Sequence, residues 1–353
     1  MQNSFSVSYV TTLPKIGDAP RVIVSGDDSQ TYSVNFYEVV NEGFKLVKSG
    51  VVKNNQTIIS NTKQWYTNWG VKVFNSNNEC ILTDVFNPHN KVIFIKMDAY
   101  ALGDTIAWIP YVELFRKKHN CTVICSTFHN SILAESYPNI IFIKPNSVIE
   151  NIYAQYYIGA SNEDNLCYSP IKVNQHPLQD VASSILGLNR VEVRPDLTNS
   201  IKKFNRQIEG KYVTLSEFGS MDVKSWKTEN GWQSIVDVLV DIGYKVVVIS
   251  KEPTSLTNVI DKTGDVSLIN RMIDIYYADF HLGVSSGLSW LAWSLNTHVV
   301  MISDVTPNWH EFSSDITRIN ANDLNEVNYD AEYQTTIEIA VKKVVDLVAL
   351  RYL

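Results

Sequence analysis

The chain of 353 residues is sparing with the features that place a protein quickly. Its four cysteines, Cys80, Cys121, Cys125 and Cys167, fall at scattered spacings with no CxxC pair, and there is no HExxH or Cys/His cluster. A disulfide framework and a catalytic zinc site are therefore not expected. Cys121 and Cys125, four apart on one face of an expected strand, read as buried thiols in a reducing, cytoplasmic setting. No apolar run approaches the ~20 residues that cross a bilayer. The opening MQNSFSVSYVTTLPK has no basic region followed by an apolar core, so no signal peptide is expected. Excess positive charge is missing too. A formal net charge of −7 leaves no surplus of cations to neutralise phosphates, which argues against general nucleic-acid binding. Nowhere is there a GxGxxG or a GxxxxGK[ST], which disfavours nicotinamide and flavin enzymes and P-loop NTPases. GLSWLAWS lacks the second glycine of a nucleophile elbow, which disfavours a serine hydrolase.

What is present is ordinary globular material, 45% hydrophobic and 19% charged, organised around the stretch KVIFIKMDAYALGDTIAWIPYVELFRKKH, residues 91–119. Val92-Ile93-Phe94-Ile95 suits a strand buried on both faces. A loop through Gly103-Asp104 follows. Ile106, Ile109, Val112, Leu114 and Phe115 then recur at near-helical spacing, and Lys117-Lys118-His119 place positive charge where the helix ends. Strand, loop, helix and the next strand (Cys121 to Cys125) make a unit whose loop lies beyond the carboxyl end of a parallel strand, where such sheets bind ligands. Asp104 stands in the first turn of that helix, either as a cap or as a functional carboxylate.

Residues 1 to about 20 are polar and read as a poorly tied arm. From Arg21 to Asn90 short β-like runs alternate with Asn, Gly, Ser and Asp clusters: Val22–Val24, Tyr32–Phe36, Phe44–Val47, Thr57–Ile59 and Val71–Phe74. Trp65 and Trp69 lie among them, as packed core or as a stacking surface for a sugar or peptide. Residues 1–90 thus form a β-rich accessory domain. From Lys91 strands (91–96, 121–126, 140–144, 152–158) alternate with helices (105–118, 130–137 and one from Leu178 to Gly187), which implies a parallel sheet over 91–200. Residues 195–210 look like a linker. A second alternating series fills 201–353, from Tyr212–Leu215 to a final amphipathic helix, Thr335–Leu350. The expected fold class is α/β with two Rossmann-like domains facing a cleft.

Two loops of the second series could carry chemistry. Gly283-Val-Ser285-Ser286-Gly287-Leu-Ser-Trp290 joins a strand to a helix through small residues. The free N–H groups of that helix start would suit a diphosphate, although a tight turn with a serine cap fits as well. Gly219-Ser220-Met-Asp-Val-Lys224-Ser-Trp226 leaves the first strand of the series toward the same cleft. Its lysine is either solvated or available to an anion.

Ala101-Leu102-Gly103-Asp104-Thr105 and the helix after it resemble the first loop of glycosyltransferase family 9, the nucleotide-heptose heptosyltransferases. The longer ALGDTIAWIPYVELFRKKH resembles its autotransporter branch, protein O-heptosyltransferases that modify bacterial adhesins. Further motifs keep this register over most of the chain. The resemblance implies a GT-B fold and an inverting, metal-independent transfer of heptose from ADP-heptose to serine hydroxyls of an adhesin. Asp104 would be the general base, with Gly103 supporting its loop and Asp98 as a substitute. Ser220, Lys224, Ser285, Ser286, Gly287 and Trp290 would bind the donor. At positions 285 and 290 the family has Asp and His, where this chain has Ser285 and Trp290. No cofactor is expected. The branch's C-terminal cysteine cluster, which binds iron and helps build a ring-shaped oligomer, has no counterpart in DVTPNWHEFSSDITRINANDLNEVNYDAEYQ, which puts iron and the ring assembly in doubt and leaves a homo-oligomer open. The rival readings are a heptosyltransferase acting on a lipopolysaccharide core or other glycan, and a non-catalytic nucleotide-sugar-binding or assembly protein.

Overall fold

Two antiparallel sheets precede two parallel ones along the chain. A computed structural model describes residues 3–10, 19–27, 29–41, 43–60, 68–97, 99–159 and 169–351. The first sheet pairs β1 (Ser4–Ser8) with β2 (Arg21–Ser25), and β2 with a later strand, β5 (Gln56–Ile59). The second runs in the order β4-β3-β6-β7, from β3 (Thr31–Val40), β4 (Gly43–Lys53), β6 (Trp69–Phe74) and β7 (Cys80–Val85). In β3 the alternation seen in the sequence holds: Tyr32, Val34 and Phe36 point into the core while Ser33 and Asn35 do not. Trp69 is fully buried there; Trp65 lies outside the described residues.

The expected loose arm is corrected by β1, which pairs along its whole length with β2. Tyr9 just beyond it is buried, bridges to Ala154 of the first parallel sheet, and donates its hydroxyl to Asp84 at 2.5 Å. Burying an aromatic ring edge-on to Phe86 ties this end down in a way that composition does not reveal.

β8 (Val92–Met97), β9 (Thr122–Thr127), β10 (Ile140–Ile143) and β11 (Ala154–Tyr157) form the first parallel sheet, in the order β10-β9-β8-β11. Helix α1 (Leu102–His119) covers it, with α2 (Asn130–Leu133) and α3 (Leu178–Ile185) nearby. α2 is a single turn, shorter than the expected 130–137. From Thr105 to Val112 every residue of α1 is buried, because a sheet lies on one side and other helices on the other. Cys121 and Cys125 are buried. The second parallel sheet runs β14-β13-β12-β15-β16-β17, from β12 (Tyr212–Ser216), β13 (Lys245–Val248), β14 (Ile260–Asp261), β15 (Phe280–Val284), β16 (His298–Ile302) and β17 (Ile316–Ile319). Its helices are α4 (Gly231–Asp241), α5 (Leu268–Tyr276), α6 (Gly287–Ser294) and α7 (Ile337–Arg351). The chain between the two sheets is packed rather than free. Leu197 and Ile201 are buried, and Arg194 donates to the Trp293 carbonyl at 2.7 Å and to Asp315 at 2.6 Å.

Candidate active site

Helices α1 and α6 meet at their N-termini, and the meeting depends on two glycines. A methyl group at Gly103 would stand 3.0 Å from the Trp290 ring and 3.6 Å from Gly287 Cα. One at Gly287 would stand 2.8 Å from Leu102 Cβ and 3.1 Å from the Gly103 nitrogen. Two helix starts, each with free amides and partial positive charge, are thereby brought side by side at the carboxyl ends of β8 and β15. Trp290 is the wedge between them, nearly buried and edge-on to Trp293 and Phe312 at 5.6 and 5.1 Å.

A cavity of about 580 Å³ opens beside this contact. Gly103, Asp104, Ser220, Lys224, Ser285, Ser286, Gly287 and Trp290, expected from the sequence to serve as base, loop support and donor-binding residues, line it. Asp98, the substitute base, falls outside the described residues. Asp104 does not cap its helix: the cap position is Ala101, without a side-chain cap hydrogen bond, so the carboxylate is left to the cavity. Burial pushes its pKa up to about 6, against the opposing pull of the Lys224 ammonium. Lys224 ends a 3-10 turn, Asp222–Lys224, and its ammonium stands 5.6 Å from the centre of the Tyr329 ring. Its backbone is held from elsewhere, since its carbonyl accepts from the Tyr333 hydroxyl at 2.7 Å. The segment bearing Tyr333 is fixed in turn by buried Asp304, which accepts from the backbone amides of Ala321, Gln334 and Thr335 at 2.7–2.8 Å. Trp226 does not line the cavity. It is buried edge-on to Trp232, with its indole N–H on the Thr335 carbonyl at 3.0 Å, and anchors the other end of the lysine loop.

At the second helix start Ser286 is the cap, its hydroxyl accepting from the Ser289 amide. The Ser285 hydroxyl is committed to Glu311 at 2.7 Å. Glu311, also paired with Arg318, is buried; burial alone would raise its pKa, but Arg318, His310 and Ser285 outweigh that and hold it at about 2. His310, Glu311 and Tyr329 line the cavity and were missed in the sequence, because they lie in a stretch without periodicity or motif. The arrangement puts a carboxylate of raised pKa across from an amide-rich, lysine-bearing wall. That combination can accept a proton on one side and bind a phosphate group on the other.

No family model matches the chain. Among curated proteins it is similar to the autotransporter heptosyltransferase Aah of Escherichia coli, 29% identical over 305 residues, covering 82% of this chain and 77% of that one. It is also similar to the autotransporter heptosyltransferase TibC of an enterotoxigenic E. coli strain, 28% identical over 280 residues, 72% and 67% of the two chains. A third relative, BimC of Burkholderia thailandensis, is described as an inactive autotransporter heptosyltransferase; it is 25% identical over 288 residues, 78% and 67% of the two chains. The solved structure of TibC, described as an iron-containing dodecameric glycosyltransferase, superposes with a TM-score of 0.81 at 20% identity over 98% of each chain. TibC has also been solved in complex with ADP-D-beta-D-heptose. The resemblance read from residues 101–119 therefore holds: the chain is a relative of the autotransporter heptosyltransferases, with their mixed α/β fold. The fit to iron is different. The cysteine-free C-terminal stretch offers no thiolates, and among the described residues no group of three or more His, Cys, Asp and Glu side chains is placed to hold a metal.

Proposed function

We propose that the chain is an inverting glycosyltransferase that moves heptose from ADP-heptose to serine hydroxyls of an autotransporter-type adhesin in the cytoplasm. The observation that carries this reading is the shared cavity of Asp104, Lys224 and the α6 start. In the proposed GT-B arrangement residues 91–200 face the acceptor, residues 201–353 hold the donor, and residues 1–90 are an accessory domain.

The acceptor hydroxyl gives its proton to the Asp104 carboxylate as its oxygen attacks the anomeric carbon from the face opposite the diphosphate. The bond from that carbon to the phosphate oxygen breaks, and its electron pair leaves on the diphosphate. Lys224 and the amides at Gly287 and beyond face the charge that builds there. Ser286 holds that helix start in place, Ser220 lies on the lysine loop, and Ser285 supports the pocket through Glu311. These groups supply the positive potential without a divalent ion, and no step passes through iron. A homo-oligomer is part of the proposal, as the relative TibC is described as dodecameric.

A second reading is a binding or assembly protein that has kept the fold, favoured by the similarity to BimC, described as inactive. Thermal-shift and transfer assays of the purified chain with a panel of nucleotide sugars separate the two. ADP-heptose should raise the melting temperature most and be consumed when adhesin is added. Stabilisation without consumption supports the second reading. Transfer to lipopolysaccharide core in place of adhesin would change the acceptor and leave the donor site intact.

A further inference from the structure

His310 is the side chain in this cavity whose capacity is left unused. It is 6% exposed, and its Nδ1 is buried with no hydrogen-bond partner. The residue spans two parts of the fold. Its carbonyl accepts from the Leu178 amide at 2.9 Å, at the start of α3. One nitrogen of a neutral imidazole is a bare acceptor, and once the ring is protonated both nitrogens donate. A buried ring nitrogen with no partner is costly, and a ligand atom that pairs it would remove that cost.

The groups around the ring indicate what completes it. Burial holds its pKa below the usual histidine range, with the negative charge of Glu311 opposing that and the positive charges of Lys224 and Arg318 adding to it. Asp104, Tyr329 and Lys224 line the same cavity. A diphosphate seated beside Lys224 brings negative charge that reverses the balance at Nδ1.

We propose that His310 takes up a proton from solvent when a nucleoside diphosphate binds, and that the resulting imidazolium donates from Nδ1 to a phosphate oxygen next to Lys224. This rests on the donor-site reading above. The contact strengthens as the sugar bond breaks, because the departing diphosphate gains one more negative charge. An imidazole and a carboxylate thus reach the donor pocket from neighbouring positions, 310 and 311, where residues 290 and 285 supply a tryptophan and a serine.

The test is calorimetric titration of the full chain with ADP, in pairs of buffers with different ionisation enthalpies, between about pH 6 and about pH 8. The wild-type chain should take up a fraction of a proton on binding and bind ADP more tightly as pH falls. Asp104 also titrates in this range, so Asp104→Asn is compared, and it should keep the uptake. His310→Gln should lose the uptake attributable to the ring and weaken ADP binding about 10- to 100-fold at low pH. The wild-type and Asp104→Asn measurements do not depend on His310→Gln folding, and circular dichroism reports whether it does. Firm ADP binding without proton uptake, or uptake that vanishes in Asp104→Asn and persists in His310→Gln, overturns the assignment of His310 alone. No ADP binding by the wild-type chain overturns the donor-site reading and the role of His310 together.

Discussion

The starts of α1 and α6 are built from the same device and put to opposite uses. Each follows a buried parallel strand and touches the other through a glycine. At α6 a serine cap occupies one amide and the first turn carries no acid, so the remaining N–H groups are open to an anion. At α1 no side chain caps, and an acid stands in the first turn. A carboxylate at a helix start is ordinarily stabilised as the anion, yet burial wins here and Asp104 is pushed up to about 6. The comparison teaches that polarity at such a junction is decided by one side chain and its burial rather than by the backbone.

The sharpest way to break the contrast is Asp104→Asn, which makes both junctions neutral. Transfer should fall by about 10²- to 10⁴-fold, measured as initial rate, with donor affinity little changed. Because the folded-state pKa lies above the unfolded one, the ionised carboxylate weakens the fold above about pH 4, so the variant should be more stable at neutral pH by up to ~3 kcal/mol in denaturant melts. In the wild-type chain only the carboxylate form accepts a proton, so the low-pH limb of the rate profile should rise with pH through about 6. Lys224→Met removes the charge opposite. Steady-state kinetics should show a loss of about 10²- to 10³-fold, in turnover more than in donor binding.

The halves of this comparison were not equally visible beforehand. Val92–Ile95, the Gly103-Asp104 turn and the repeat of Ile106, Ile109 and Val112 announce a strand, loop and helix because the signal is local and periodic. Ser285-Ser286-Gly287 could be read for the same reason. His310, Glu311 and Tyr329 could not, since their place depends on Asp304 gathering amides from Ala321 to Thr335 and on the pairing of Glu311 with Arg318. Those contacts join residues that follow no repeat. The short edge strands β14 and β17 escaped notice as well, having too few residues to show alternation. β1 was obscured by the polar residues around it, although Tyr9 pins its end.

Two smaller effects sharpen the picture. Gly287→Ala puts a methyl group 2.8 Å from Leu102 Cβ and 3.1 Å from backbone at Gly103, so the two helix starts must separate. Denaturant melts should register a loss of about 1–3 kcal/mol, with weaker donor binding alongside. Ser286→Ala removes only the cap of α6. Its expected cost is about 1 kcal/mol of stability in the same melts, with a smaller effect on turnover than any other change here.

The most direct measurement is the intact mass of an adhesin passenger after incubation with ADP-heptose and either the wild-type chain or Asp104→Asn, with donor binding to both followed in parallel. The account predicts heptose added to serine by the wild-type chain, almost none by the variant, and equal donor binding. Undiminished transfer by Asp104→Asn, or no transfer by a wild-type chain that binds the donor, would contradict it.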